Sequence, residues 1–147
     1  MYRQRDGVQE VLLVHPGGPF WAKKDLGAWS IPKGEYSADE DPLDAAKREF
    51  EEETGVKPVG RFTPLKPITQ GGGKTVKAWV FEGDCDVTVV KSNTFSMEWP
   101  PHSGTQQEFP EIDCAEWFSI ETAKQKILKG QVRLIEELEH ILAGIRE

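Results

Sequence analysis

Glu49, Glu52 and Glu53 are spaced so that an α-helix would set all three carboxylates on one face, directly after a loop reading Ile31-Pro32-Lys33-Gly34. Residues three and four apart lie one helical turn above each other, so these side chains come within reach of one another. Like charges at that separation repel and raise each other's pKa unless a cation sits among them. Oxygen donors alone favour a hard ion, magnesium, manganese or calcium, over zinc. The helix has its own boundary signals: Asp41 as N-cap, Pro42 at the first helical position and Gly55 just past Thr54. These predict a helix over roughly 42–54. Leu43, Ala46 and Phe50 form its packing stripe, while Asp44, Lys47 and Glu51 point elsewhere.

A glutamate run on a helix is most often a solvated acidic face. The wider pattern decides otherwise. Gly34, Glu40, Arg48-Glu49-Phe50, Glu52-Glu53 and Gly55-Val56 fill every fixed position of the Nudix box, GX5EX7REUXEEXGU with U a bulky apolar residue. Over 34–56 the chain therefore resembles the Nudix, or MutT-like, hydrolases, which cleave nucleoside diphosphates linked to another moiety. The resemblance implies one Nudix domain over 1–147 and an α/β fold, an α/β/α sandwich with a mixed β-sheet between helices. It also implies an enzyme that uses Mg²⁺, with Mn²⁺ as the substitute.

Hydrolysis of a phosphoanhydride requires an aligned water, neutralised phosphoryl oxygens and a stabilised leaving group, needs that bound divalent ions can meet together. By the resemblance, Glu52 and Glu53 are metal ligands, and Glu49 is either a third ligand or an aid in deprotonating water. Arg48 would orient a neighbouring glutamate, Glu40 would be structural, and Lys33 and Gly34 would offer backbone carbonyls to the ion. Many family members add a glutamate from outside the box. Glu82, Glu98, Glu108 and Glu111 are the candidates, and Glu111 is favoured because it precedes the aromatic pair Trp117-Phe118 as the corresponding loop glutamate does in dinucleoside polyphosphate hydrolases.

For the substrate, Trp29-Ser30-Ile31-Pro32-Lys33-Gly34 is similar to hydrolases of diadenosine and diphosphoinositol polyphosphates, whereas MutT-type enzymes more often read Pro-Gly-Gly there. The leading expectation is a dinucleoside polyphosphate such as diadenosine tetraphosphate. The alternatives are an oxidised nucleoside triphosphate, or a nucleotide sensor without catalysis. The tyrosine that some dinucleoside enzymes carry after the box is absent, since Tyr2 and Tyr36 both precede its end. Lys33, Lys74 and Lys77 are candidate phosphate contacts, and Phe95 or Trp99 could stack a base. Gly71-Gly72-Gly73-Lys74-Thr75 ends like a P-loop, but Ile68 stands where its first glycine belongs, so a hairpin loop is the better reading.

The elements that must position these residues follow from patterning. Val8 to His15 reads as a largely buried strand after an Asp6-Gly7 turn, Thr75 to Glu82 as a second, Asp84 to Val90 as a third and Glu116-Trp117-Phe118 as a fourth. Prolines 58, 64 and 67 limit the stretch between to short or edge pieces. Ser92 to Phe109 reads as a long polar loop. Ser119 caps a helical region broken at Gly130, and a last helix over about 131–145 carries Leu134, Ile135, Leu138, Ile141, Leu142 and Ile145 on one face, as core or subunit contact. Family members usually carry a strand before the point where Met1 stands, which implies a missing or shortened strand, with a start downstream of the natural one or a dimer covering the gap.

Length and charge bound the rest. A chain of 147 residues suffices for one core, and no repeat or low-complexity segment appears. A net charge of −7 disfavours an extended nucleic-acid surface or an anionic membrane as partner. The expected partner is a small nucleotide, and the protein itself a monomer or homodimer. Neither a charged leader nor a membrane span is visible, so a cytoplasmic location is expected. Cys85 and Cys114 show no CxxC spacing and no His nearby in the chain, so they read as buried or half-buried thiols without a zinc site. His15, His102 and His140 show no ligand spacing either.

Overall fold

A strand buried on both faces organises the protein. The computed structural model describes residues 1–33, 39–70 and 73–146. In it β1 (Tyr2–Arg5) and β2 (Val8–Pro16) form a hairpin, and β2 pairs on its other edge with β9 (Ile112–Ser119), all antiparallel. Successive side chains of a strand point to opposite faces, and here both faces are covered. Val11 and Leu13 pack with Ile120, Ala123, Ile127, Ile135, Leu138 and Leu142 of the C-terminal helical region. Leu12 and Val14 pack with Phe50, Phe81 and Ala115. This double burial explains why the segment reads as a continuous apolar run.

The helices follow their signals. α1 (Pro42–Thr54) starts with the Asp41 carboxylate accepting from the Asp44 N–H and ends with Gly55 in the left-handed region at φ +76°, its N–H on the Glu51 carbonyl. Its buried residues are Ala45, Phe50 and Thr54. Leu43 and Ala46, expected in the packing stripe, instead border a cavity described below. α2 (Ile120–Lys126) is capped by Ser119, and α3 (Val132–Arg146) supplies Leu134, Ile135, Leu138 and Leu142 to the core. Ile141 packs against that core partly buried, so the stripe is core; the Ile145 side chain lies outside the described ones.

Three expectations need correction. Thr75 to Glu82 is not one strand: β5 (Lys74–Val76) pairs with β4 (Ile68–Gln70), while β6 (Trp79–Val80) pairs with β3 (Thr63–Pro64). Alternation continues across the break, but the two pieces serve different partners. Asp84 to Val90 is not a strand, because Asp86 caps a 3-10 turn at Val87–Val89 by accepting from the Thr88 N–H, the competition that short acidic side chains offer to extended backbone. The supposed polar loop after Ser92 contains a hairpin, β7 (Thr94–Glu98) and β8 (Gln106–Pro110), whose alternation involves only Phe95, Met97 and Phe109 and is masked by polar outer residues. The chain opens with the short strand β1, joined to the middle of the structure by Tyr2 N–H to the Phe81 carbonyl and a parallel bridge from Tyr2 to Glu82. Among the described residues no helix is long and apolar enough to cross a membrane.

Candidate active site

The loop before α1 is held from behind by the other helical layer. Trp29 exchanges backbone bonds with the α2–α3 connection, its N–H to the Lys126 carbonyl and its carbonyl from the Leu128 N–H at 2.7 Å. Gln131, fully buried, accepts from the Ile31 N–H at 3.1 Å through its side-chain oxygen and donates to Ser30 Oγ at 3.1 Å through its nitrogen. Pro32 and Lys33 therefore leave a fixed anchor. Lys33 then donates its backbone N–H to Glu53 Oε2 at 2.8 Å, tying loop to helix. Gly34 lies outside the described residues.

On α1 the carboxylates are held by two partners, Arg48 and the Lys33 N–H. Arg48 grips Glu40 with two parallel bonds, Nε to Oε2 at 3.1 Å and Nη2 to Oε1 at 3.0 Å, and its remaining nitrogen reaches Glu49 Oε1 at 2.9 Å and both Glu52 oxygens at 3.3 Å. The bond to Glu40 is also the first cause holding the guanidinium above its usual range. Glu53 behaves differently. Burial raises its carboxyl to about 7; the Lys33 N–H opposes that rise, and the negative charges of Glu49 and Glu111 add to it. Convergence of Glu49, Glu52 and Glu53 into one ligand cluster does not occur. Among the described residues the group of three such side chains whose ligand atoms lie within 4.8 Å of one another is His15, Asp113 and Cys114. Glu49 and Glu52 share Arg48, while Glu53 turns to the Lys33 N–H. The donor set still suits a hard divalent ion, being all oxygen, with one carboxyl that burial has left short of compensating charge.

Glu111 reaches this neighbourhood through strand pairing. Its carbonyl accepts from the Gly17 N–H at 2.9 Å and its N–H donates to the Asn93 carbonyl at 2.8 Å, so the end of β2 and the start of β7 clamp it. Gly17 is obligatory there, since a Cβ would lie 1.9 Å from the Pro110 carbonyl oxygen. Of the outside glutamates, Glu98 and Glu108 sit on the β7–β8 hairpin, and Glu82 lies beside Tyr2.

Beside the helix opens a cavity of about 840 Å³ whose rim carries Glu49, Lys33, Lys74 and Lys77, with Phe62 and Trp79 among its apolar walls. Trp99 is not part of it. Its ring meets Phe20 edge to face at 5.7 Å, at the tip of the β7–β8 hairpin. The sequence reading also missed Gln131, which carries no local signal beyond being a polar residue at the start of an apolar stripe. The separation of His15 from Cys114 was misleading as well: they are direct cross-strand partners, and Cys114 is exposed rather than buried.

This layering, with a glutamate-bearing helix on one side of the sheet and two helices on the other, is that of the Nudix fold. It recurs in a C. elegans Ap4A hydrolase solved as a binary complex, 24% identical, with a TM-score of 0.65 over 97% of this chain and 94% of that one. It recurs too in the NUDIX domain of Shewanella oneidensis NrtR complexed with ADP ribose, 16% identical, with a TM-score of 0.63 over 96% and 82%. The family model for the NUDIX domain matches residues 1–138, and the chain belongs to that family. Among curated relatives, an RNA pyrophosphohydrolase of Rhizobium meliloti is 28% identical over 156 residues, 87% of each chain. Another, from Xylella fastidiosa, is 40% identical over 58 residues, 39% of this chain and 30% of that protein, so this match spans under a third of the relative's length.

Proposed function

We propose that the protein is a Mg²⁺-dependent pyrophosphohydrolase acting on dinucleoside polyphosphates such as diadenosine tetraphosphate in the cytoplasm. The observation that carries this reading is Glu53, a carboxyl raised to about 7 by burial and by the charges of Glu49 and Glu111, on the same helix as Glu49, which lines the cavity together with Lys33, Lys74 and Lys77. Perturbed carboxyls in such a setting mark sites where charge is meant to be supplied by a ligand. Glu49, Glu52 and Glu53, with the Lys33 and Gly34 backbone, would hold the metal, which when bound neutralises phosphoryl oxygens and acidifies the attacking water.

The chain's own residues then divide the work. Arg48 fixes the directions of Glu49 and Glu52 through the bonds already described, and Glu40 anchors Arg48. Lys33, Lys74 and Lys77 meet the polyphosphate, and Glu111 accepts the proton of the attacking water. The cavity's aromatic walls accommodate one nucleoside. Trp99 with Phe20, which is 62% exposed, offers a separate stacking surface for a second base. A second reading is favoured by the relatives named RNA pyrophosphohydrolase: a 5′-triphosphorylated RNA end presents the same chemistry, a polyphosphate attached to a nucleoside, with further chain beyond it.

The test is hydrolysis with Mg²⁺ of diadenosine tetraphosphate, ADP-ribose, nucleoside triphosphates including oxidised dGTP, a diphosphoinositol and a 5′-triphosphorylated RNA oligonucleotide. Preferential release of ATP and AMP from the first, lost at least about a hundredfold in Glu53→Gln, is the expected result. Preference for the RNA would transfer the assignment to the second reading. Inactivity on all with tight nucleotide binding would make the protein a sensor.

A further inference from the structure

A β-bulge at the far end of β2 brings together three side chains that the hydrolytic site does not use. His15 pairs with Cys114 across the β2–β9 ladder, and the register then slips so that Pro16 faces Ile112, leaving Asp113 as the extra residue on β9. A bulge sets two residues against one, and here it delivers both Asp113 and Cys114 to the buried imidazole. His15 Nδ1 lies 2.8 Å from Asp113 Oδ1, and the ligand atoms of all three residues fall within 4.8 Å of one another. Asp25 and Glu116 add further negative charge around Cys114.

The hydrogen-bond inventory of the imidazole narrows what belongs there. Nε2 lies 2.7 Å from the Lys24 carbonyl, an atom that only accepts, so Nε2 carries a proton and donates it. In the neutral ring Nδ1 then presents a lone pair, and it faces a carboxylate oxygen. At 2.8 Å the pair is hydrogen-bonded through one shared proton, and a metal ion would replace that proton once the two atoms move apart to about 3.3 Å, the spacing of neighbouring ligands on a tetrahedral ion. A backbone carbonyl on the distal nitrogen is the arrangement that orients histidine ligands and fixes their tautomer. The neighbouring thiol weighs toward a metal, because imidazole, thiolate and carboxylate together form a donor set for zinc-class ions and not for magnesium.

We propose that His15, Asp113 and Cys114 form a binding site for a zinc-class divalent ion, separate from the glutamate site on α1. The ligands are His15 Nδ1, an Asp113 oxygen and Cys114 Sγ, whose proton passes to solvent on binding, and water completes a tetrahedron. Asp113 and Cys114 are exposed, which gives the ion a path in from solvent. The site would fasten β9 to β2 three residues from Glu111.

The probe is Co²⁺ added to the metal-free full chain in excess Mg²⁺, which occupies oxygen sites but competes poorly for a thiolate. Expected is a thiolate-to-cobalt charge-transfer band saturating near about one equivalent and displaced by Zn²⁺. The band disappears in Cys114→Ser, weakens in affinity at least about tenfold in Asp113→Asn, and persists in Glu53→Gln and Cys85→Ser. Both altered ligands are at the surface, so folding is retained and is checked by thermal melts; the buried His15 need not be changed. Absence of the band in the native protein, or its survival in Cys114→Ser, overturns the proposal and leaves only the hydrogen bond between His15 and Asp113.

Discussion

A carboxyl raised to about 7 sets a proton and a cation in competition for the same oxygens. For Glu53 the sign follows from its causes. Burial disfavours the charged form in the folded protein, so the carboxyl binds its proton more tightly there than at its ordinary 4.5 in the unfolded chain. The stability contributed by this group is fully present below about 4.5 and is lost as pH rises through about 7, by an amount on the order of 3 kcal/mol at most. In metal-free protein Glu53→Gln should therefore melt close to the native protein at pH 4.5 and several degrees above it at pH 8. Addition of Mg²⁺ at pH 8 should close the gap by stabilising the native protein alone. A Gln variant that melts below the native protein at pH 8 would show that Glu53 is not under charge stress. By the same linkage, Mg²⁺ affinity measured calorimetrically should rise as pH passes upward through 7 and level off above it.

At the scale of elements, the loop that carries Lys33 is positioned by a helix pair distant in sequence. Gln131 joins the two, with its oxygen on the Ile31 N–H and its nitrogen on Ser30 Oγ. Gln131→Leu would leave the half-buried Ile31 N–H without that partner and should cost about 1–3 kcal/mol, read in urea melts. It should also lower kcat more than it raises KM, since Lys33 would lose its anchor while Lys74 and Lys77 stay in place. An equal loss in Gln131→Glu, which keeps an acceptor for the Ile31 N–H, would argue against this positioning role. The same scale shows what the sequence could and could not convey. α1 was legible to the residue, because Asp41, Pro42 and Gly55 act locally and each carries its own cap chemistry. β2 and α3 were legible from uninterrupted apolar patterning. The β7–β8 hairpin was not, since its exposed faces dilute the alternation, and the cross-strand meeting of His15 with Cys114 was not, since register between distant strands leaves no mark on either segment. In the site itself, residue types were visible but their conformations were not: Arg48 and the Lys33 N–H divide the glutamates, an outcome set by which donor each oxygen can reach.

For the molecule as a whole, β2 supplies side chains to two cores, one built on α2 and α3 and the other on α1 and Phe81. Its loss would therefore expose both. Amide hydrogens of Leu12, Leu13 and Val14 should exchange with solvent deuterium only through complete unfolding, while those of the β7–β8 hairpin, whose outward side chains are mostly exposed, should exchange through local opening. Equal protection in the two regions would refute the division. Such a division bears on how this protein could change over generations. A segment that opens without disturbing the rest is free to accept new side chains, and Trp99 lies at the tip of that segment, so the surface it presents can drift while α1 stays packed against the strand on which both cores rest.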